Sequence, residues 1–312
     1  MRMLFELALP GLCLAETLRC LTGAVTGRRS PRPPFAFRAL RGRMERKEIA
    51  LLARFAPERG ARVVLSRFEG MRPGGGRIRQ RIWRPDWRQG APLAQRSLNG
   101  ASPIRVLLLH GWNADRRMVM PLAEALAGAG IAVIVPDLPG EGDNHAERLS
   151  FAEKAQRLAR AYEGQSFDAV IAHSAGALVA ALAIEAGLDS KGLVTVCGHL
   201  SMAKMLQGYL RVSGASPDLL APLLSWYGRR DGEDPRQVGP RVYRRFPGRL
   251  LVVHASRDWQ VPPAEAHEIA ALAASRPLIL DRCNHHSILS DQRLQGAVVA
   301  FLSRNANQKS AV

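Results

Sequence analysis

From Ile104 to Ser303 short apolar runs alternate with helical segments, and this alternation restricts the fold more than any other feature of the chain. The runs are 104–109, 131–135, 168–171, 193–197, 250–255 and 277–280, and Val, Ile, Leu and Ala dominate them. Such runs are too short for helices, and most show no polar–apolar alternation, so they read as strands buried on both faces. Between them, Met118–Ala129, Ser150–Glu163, Pro263–Ala274 and Leu294–Ser303 carry helical spacing. Ser150 with Glu153 three residues on is a capping-box start. A strand, a helix and another strand in repetition imply parallel neighbours joined by crossovers. The expected class is α/β, with a mostly parallel sheet between two helical layers.

The first hundred residues have a different texture. Residues 1–27 carry a helical stripe (Leu4, Leu7, Gly11, Leu14, Leu18, Leu21, Val25), broken by charges and by Pro10. Residues 28–43 are rich in Pro and Arg and read as an extended linker. Residues 44–55 read as a short helix. Arg62–Phe68 and Arg77–Trp83 alternate and flank a Gly-rich turn, so they are expected to form an antiparallel hairpin. With this hairpin the expected strand count is about eight. Residues 86–103 read as a polar loop.

The net charge of +17 is uneven. Residues 28–96 contribute +14, with 19 Lys/Arg against 5 Asp/Glu, and residues 97–312 only +3. A basic region of this kind suits anionic partners or simply a solvated face. No segment has the roughly 18 unbroken apolar residues that a membrane span needs. The four cysteines, Cys13, Cys20, Cys197 and Cys283, show neither metal-ligand spacing nor a disulfide framework, and read as free thiols of a cytoplasmic protein. Phosphate-loop and zinc motifs are absent, so no cofactor and no metal are expected.

In a doubly wound sheet, functional residues collect at the C-terminal ends of the strands. Four of these ends carry chemistry. The first has His110-Gly111-Trp112-Asn113. The third run leads into Ala172-His173-Ser174-Ala175-Gly176, a tight strand–helix turn with a serine at its tip. The run 250–255 leads into Ser256-Arg257-Asp258-Trp259-Gln260-Val261-Pro262. The last leads into Asn284-His285-His286-Ser287. A serine needs a base to act as a nucleophile near neutral pH, and the base needs a carboxylate to hold its tautomer. Ser174, Asp258 and His285 supply that set in chain order. His286 competes for the role of base. Asp231, Glu233 and Asp234 compete for that of acid but read as solvated. His173, His199 and His254 read as structural, and Cys283 as a bystander.

These strand ends resemble those of the α/β-hydrolase family. Ala172–Gly176 is similar to its Gly-x-Ser-x-Gly elbow, with Ala in the first glycine place. Asp137-Leu138-Pro139-Gly140-Glu141-Gly142 resembles its Asp-x-Pro-Gly-x-Gly turn, and Asn284–Ser287 its Gly-His-x-Ser loop, with Asn for Gly. The resemblance spans about residues 62–304. It implies an eight-stranded α/β-hydrolase sheet with a small helical cap inserted at 199–247. It also implies an oxyanion hole made by the backbone N–H groups of Trp112 and Ala175. The expected organisation is an N-terminal segment 1–61 (amphipathic helix and basic linker) and a hydrolase domain 62–312.

The function these readings imply is a serine hydrolase of the carboxylic-ester class. Its partner would be a small-molecule ester or thioester, cleaved through an acyl-enzyme. The alternative is a binding protein on the same fold, with little catalysis, held to a membrane or nucleic acid by its basic N-terminal region. Peripheral membrane contact through that region is compatible with either reading, and nucleic acid is the less favoured partner.

Overall fold

The computed structural model describes residues 47–69, 93–144 and 149–307. The stripe of 1–27, the linker 28–43 and the strand expected at Arg77–Trp83 lie outside them. A seven-stranded sheet runs through the molecule in the order β1-β3-β2-β5-β7-β8-β9. Its strands are β1 (Gln95–Leu98), β2 (Arg105–Leu109), β3 (Ala132–Pro136), β5 (Ala169–His173), β7 (Gly192–Val196), β8 (Arg249–Ala255) and β9 (Leu278–Leu280). Only β1 is antiparallel, paired with β3 at one edge. Two-residue strands β4 (Ser166–Phe167) and β6 (Asp189–Ser190) pair separately. Among the described residues the sheet thus holds seven strands rather than about eight, and its class is as expected.

The expected hairpin does not form as read. Arg62–Phe68 is the second half of a helix, α1 (Pro57–Phe68), preceded by a helical stretch over 47–55. The alternation was a coincidence of helical spacing: Gly60, Ala61, Val63, Val64, Leu65 and Phe68 are all buried, and no strand partner is needed to cover them. The loop expected at 86–103 contains β1. Its residues are mostly exposed, so no hydrophobic signal marks it as a strand.

Both faces of the sheet are covered. On β2, Leu107 and Leu109 belong to one core while Val106 and Leu108 belong to the other, as alternation in a strand requires. The helices α3 (Phe151–Ala161) and α4 (Gly176–Glu185) pack together on the first face, and α2 (Met120–Gly128) with α9 (Gln292–Asn307) on the second. The helix α4 is buried from Gly176 to Ala183, which explains its Ala-rich, all-apolar sequence. At α3 the capping box forms as read, with Ser150 Oγ accepting from Glu153 N at 3.2 Å and Glu153 Oε2 accepting from Ser150 N at 2.7 Å.

The segment 199–247 folds into α5 (Met202–Ser213), α6 (Leu220–Asp231) and α7 (Pro240–Arg245). The helix α1 packs on α6, and a partly buried ion pair joins them, Glu69 with the guanidinium of Arg230 (2.6 and 2.7 Å). Asp231, expected to be solvated, is also held by Arg230. No helix among the described residues is long and apolar enough to cross a membrane.

Candidate active site

The chain order changes direction across β2. The strand β3 lies on one side of β2 and β5 on the other, so the loops leaving β2 and β5 face each other over a crevice. Ser174 stands at the tip of the β5–α4 turn with φ of 55°, a left-handed conformation that costs a non-glycine residue energy. Its N–H is held by Val196 O at 2.9 Å. The turn is tight because Gly176 leaves room. A Cβ there would stand 2.4 Å from His110 O, so only glycine lets α4 start beneath the β2 loop. Ala172, by contrast, is a buried strand residue between Leu109 and Thr195, and its methyl is accommodated in the core. Of the elbow's two small positions, the second is the one geometry makes obligatory.

The residues singled out at the strand ends come together. His285 Nε2 lies 3.0 Å from Ser174 Oγ, and His285 Nδ1 lies 2.6 Å from Asp258 Oδ2. The other oxygen of Asp258 accepts from Gln260 N and Val261 N, both at 2.9 Å. Burial alone would push the Asp258 carboxyl up. The hydrogen bond and charge of His285 and the N–H of Val261 overcome that and hold it below the usual carboxylate range. His286 does not reach the serine. Its Nε2 sits 3.0 Å from Gln260 Nε2, on the wall of the same cavity. Asp231, Glu233 and Asp234 pair with arginines of the inserted segment and take no part.

Three buried histidines brace this arrangement. His173 donates from Nε2 to the carbonyl of His285 at 2.8 Å, so the residue before the serine holds the backbone of the loop opposite. His254 donates from Nε2 to Val261 O at 3.0 Å and lies 3.5 Å from Asp258 Oδ2. His110 has the opposite tautomer. Its Nδ1 donates to Gly111 O at 2.8 Å, and its Nε2 accepts from Leu138 N at 2.9 Å. Burial keeps all three neutral. It lowers His173 to about 3, with the charge of His285 adding to it, and lowers His110 and His254 as well. The sequence marked His173 and His254 as structural, and His110 only as part of a strand-end motif, but not what they hold, because the contacts join distant segments.

The β2 loop passes close against the serine, since a Cβ on Gly111 would lie 3.1 Å from Ser174 Cβ. The Asp137–Gly142 turn secures that loop. Asp137 Oδ1 accepts from Arg116 N at 2.7 Å, and Asp137 also pairs with the Arg116 guanidinium. Glu141 pairs with the buried Lys154. Ala175, 1% exposed, is the N-cap of α4 directly after Ser174, so its N–H lies at the helix N-terminus. Trp112 forms a wall of the site. Its indole N–H donates to Phe68 O at 2.8 Å, and its ring stacks on Phe68 (5.5 Å between centroids) and meets Tyr209 edge-on. Phe68 comes from α1, so the N-terminal helix reaches the site, which the sequence did not suggest.

Ser174 opens into a cavity of about 110 Å³, walled by Phe68, Trp112, Met205, Tyr209, Gln260 and His286 among others. Among the described residues, ligand atoms of Cys197, His254 and Asp258 lie within 4.8 Å of one another. Burial and the charge of Asp258 push the Cys197 thiol up, so it stays protonated. Its neighbours are already engaged, Asp258 with His285 and His254 with Val261 O. Such a set braces the acid rather than offering open ligands. Cys283 is buried too, and its Sγ lies 3.2 Å from Leu280 O.

Among solved structures the chain is similar to a candidate non-heme bromoperoxidase from Mycobacterium tuberculosis, at 18% identity over 68% of this chain and 96% of that one, with a TM-score of 0.52. It is similar to a thermophilic esterase from Thermogutta terrifontis, at 18% identity over 68% and 93% of the chains and a TM-score of 0.51. A serine hydrolase from Cycloclasticus zankles gives 14% identity over 69% and 96%, with a TM-score of 0.51. At such identities the likeness speaks for the fold alone. A search of the curated proteins finds no match. The family profile described as "Alpha/beta hydrolase family" matches residues 106–297, more than half of the sequence. The chain therefore belongs to the alpha/beta hydrolase family.

Proposed function

We propose that this protein is a serine hydrolase cleaving a carboxylic ester or thioester of small-molecule size through an acyl-enzyme. The observation that carries the reading is the unbroken relay from Ser174 Oγ through His285 to Asp258, with spacings of 3.0 and 2.6 Å. In this mechanism His285 Nε2 takes the Ser174 proton as Oγ attacks the acyl carbon. His285 Nδ1–H, donated to Asp258, fixes the tautomer and lets the ring carry the positive charge. The backbone N–H groups of Ala175 and Trp112 meet the oxygen on which negative charge develops. Collapse of the tetrahedral intermediate breaks the bond to the alcohol or thiol, which leaves with the proton from His285. Water, deprotonated by the same ring, then attacks the acyl-serine, and the second tetrahedral intermediate collapses by breaking the bond to Ser174 Oγ, which takes the proton back from His285 as the carboxylic acid leaves. The fold supports other reactions, so the ester rests on the relay and not on the fold.

Within the same proposal, residues 62–312 form the hydrolase domain with 199–247 as its cap, and α1 straddles the boundary with the N-terminal segment 1–61. Peripheral membrane contact is part of the proposal as well, supported by the exposure of Leu51 and Phe55 one turn apart on the helical stretch 47–55.

The decisive experiment treats the intact protein with a fluorophosphonate probe and follows p-nitrophenyl ester turnover. Labelling is expected at Ser174, and Ser174→Ala is expected to abolish both labelling and turnover. Undiminished labelling of Ser174→Ala would overturn the assignment.

A further inference from the structure

The cavity at Ser174 is small. Its volume of about 110 Å³ falls well short of the roughly 300 Å³ at the lower end of ordinary ligand pockets. A second cavity of about 410 Å³ adjoins it, between α5, the start of α6 and α8 (Pro263–Leu272). His199, Gly208 and Gln260 belong to the walls of both.

Gly208 is the informative member of this partition. It lies inside α5, where glycine is among the least favourable residues. No close packing demands it, because a Cβ built there would meet nothing within 4 Å. Its φ is not positive either. Gly208 lines both cavities, and a side chain there has room to grow beside the walls they share.

The chemistry of the second chamber narrows what can enter. Its accessible surface is mainly apolar, from residues such as Leu210, Ala215, Pro217 and Leu220. The charged groups in its wall are already engaged. Lys204 Nζ lies 3.6 Å from Glu268, Glu265 lies 3.4 Å from His199 and accepts from Leu200 N, and Arg211 donates to Gln260 O. Lys204 and Arg211 are balanced by Glu265 and Glu268, so the wall as a whole carries no excess charge. A neutral hydrocarbon arm satisfies this wall, and the volume suits a medium chain rather than a long membrane-lipid tail.

We propose that the cavity beyond Gly208 is the acyl-chain subsite, that it takes medium-length linear acyl groups, and that Gly208 determines this specificity by leaving the shared walls clear of a side chain. This rests on the serine-hydrolase reading for the identity of the reacting group, while the subsite itself is defined by shape and polarity.

The test is a graded series, Gly208→Ala, Gly208→Leu and Gly208→Phe, each checked for folding by circular dichroism and thermal melting. On p-nitrophenyl acetate and octanoate, the wild type is expected to prefer octanoate. The octanoate-to-acetate ratio of kcat/KM is expected to fall as the side chain grows, by about tenfold or more at Gly208→Phe. A ratio that stays constant across folded variants overturns the inference. A second measurement needs no turnover. Calorimetric binding of octanoate to Ser174→Ala is expected, and it should weaken by a similar factor when Gly208→Phe is added. Absent binding, or binding that Gly208→Phe leaves unchanged, overturns the subsite whether or not esters are hydrolysed. Binding that behaves as expected in a protein without ester turnover would keep the subsite and remove the hydrolase reading instead. Should Gly208→Phe fail to fold, Gly208→Leu decides by the same two readouts.

Discussion

Asp258 is where several demands meet on one side chain. One oxygen serves His285, the other takes two backbone N–H groups, and His254 and Cys197 close in behind. A carboxylate so engaged holds the imidazole in the tautomer whose Nε2 can accept the serine proton. Asp258→Asn keeps the size but offers His285 Nδ1 either a carbonyl or an amide donor, and loses the charge. We expect kcat for ester turnover to drop by about 10⁴-fold, the scale of this change in other Ser-His-Asp sites. Fluorophosphonate labelling should slow in parallel, which a stopped time course would measure. Unchanged kcat would show that another group supports His285. His173 shows how little a residue's own neighbours in sequence reveal. It sits beside Ser174, yet its hydrogen bond goes to the carbonyl of His285, 112 residues away.

At the scale of elements, the junction of β5 and α4 governs the site. Gly176 lets the first turn of α4 lie under His110 O, and the loop leaving β2 thereby comes against Ser174. Gly176→Ala would force apart two backbones rather than a flexible side chain. The expected cost is about 1–3 kcal/mol, typical of overpacking, read as a lower urea midpoint. A loss of kcat should accompany it, because the N–H groups of Ala175 and Trp112 would move relative to each other. An unaltered midpoint would mean that the junction yields more readily than its geometry indicates. The same scale explains the misread segment 62–68. Alternation over a few residues fits both a half-buried strand and a helix buried on much of its surface. Packing against α6 and the Glu69–Arg230 pair settle the matter, and both involve residues more than 150 positions away.

The whole molecule carries its buried histidines as a shared pH dependence. His110, His173 and His254 are neutral in the fold, and their pKa values lie below the ordinary 6.5, at about 3 for His173. In the unfolded chain they bind protons once the pH falls below about 6.5. The unfolded state then holds more protons than the native state, so stability is fully present above 6.5 and is lost as the pH falls towards the folded pKa. Each histidine contributes a slope of up to about 1.4 kcal/mol per pH unit. Urea unfolding across this range should show declining stability well before the carboxylates protonate. Constant stability between about pH 7 and 4.5 would contradict the neutral assignments.

The sequence by itself determined the order of strands and helices from Ile104 onward and the capping of α3, and it singled out Ser174, His285 and Asp258 as strand-end residues, which the fold brings within hydrogen-bond distance. All of these are written in short windows, as runs of apolar residues, cap residues and motifs at strand ends. Local windows suffice because backbone geometry and burial on two faces act over a few residues at a time. Tertiary structure alone decided that Arg62–Phe68 is helical, that Phe68 and Trp112 wall the site, and that His173 braces the loop of His285. It also decided that Gly208 lines two cavities. Each of these depends on surfaces brought together across long stretches of chain. No local pattern encodes such a meeting, since the free energy of packing belongs to the pair and not to either segment.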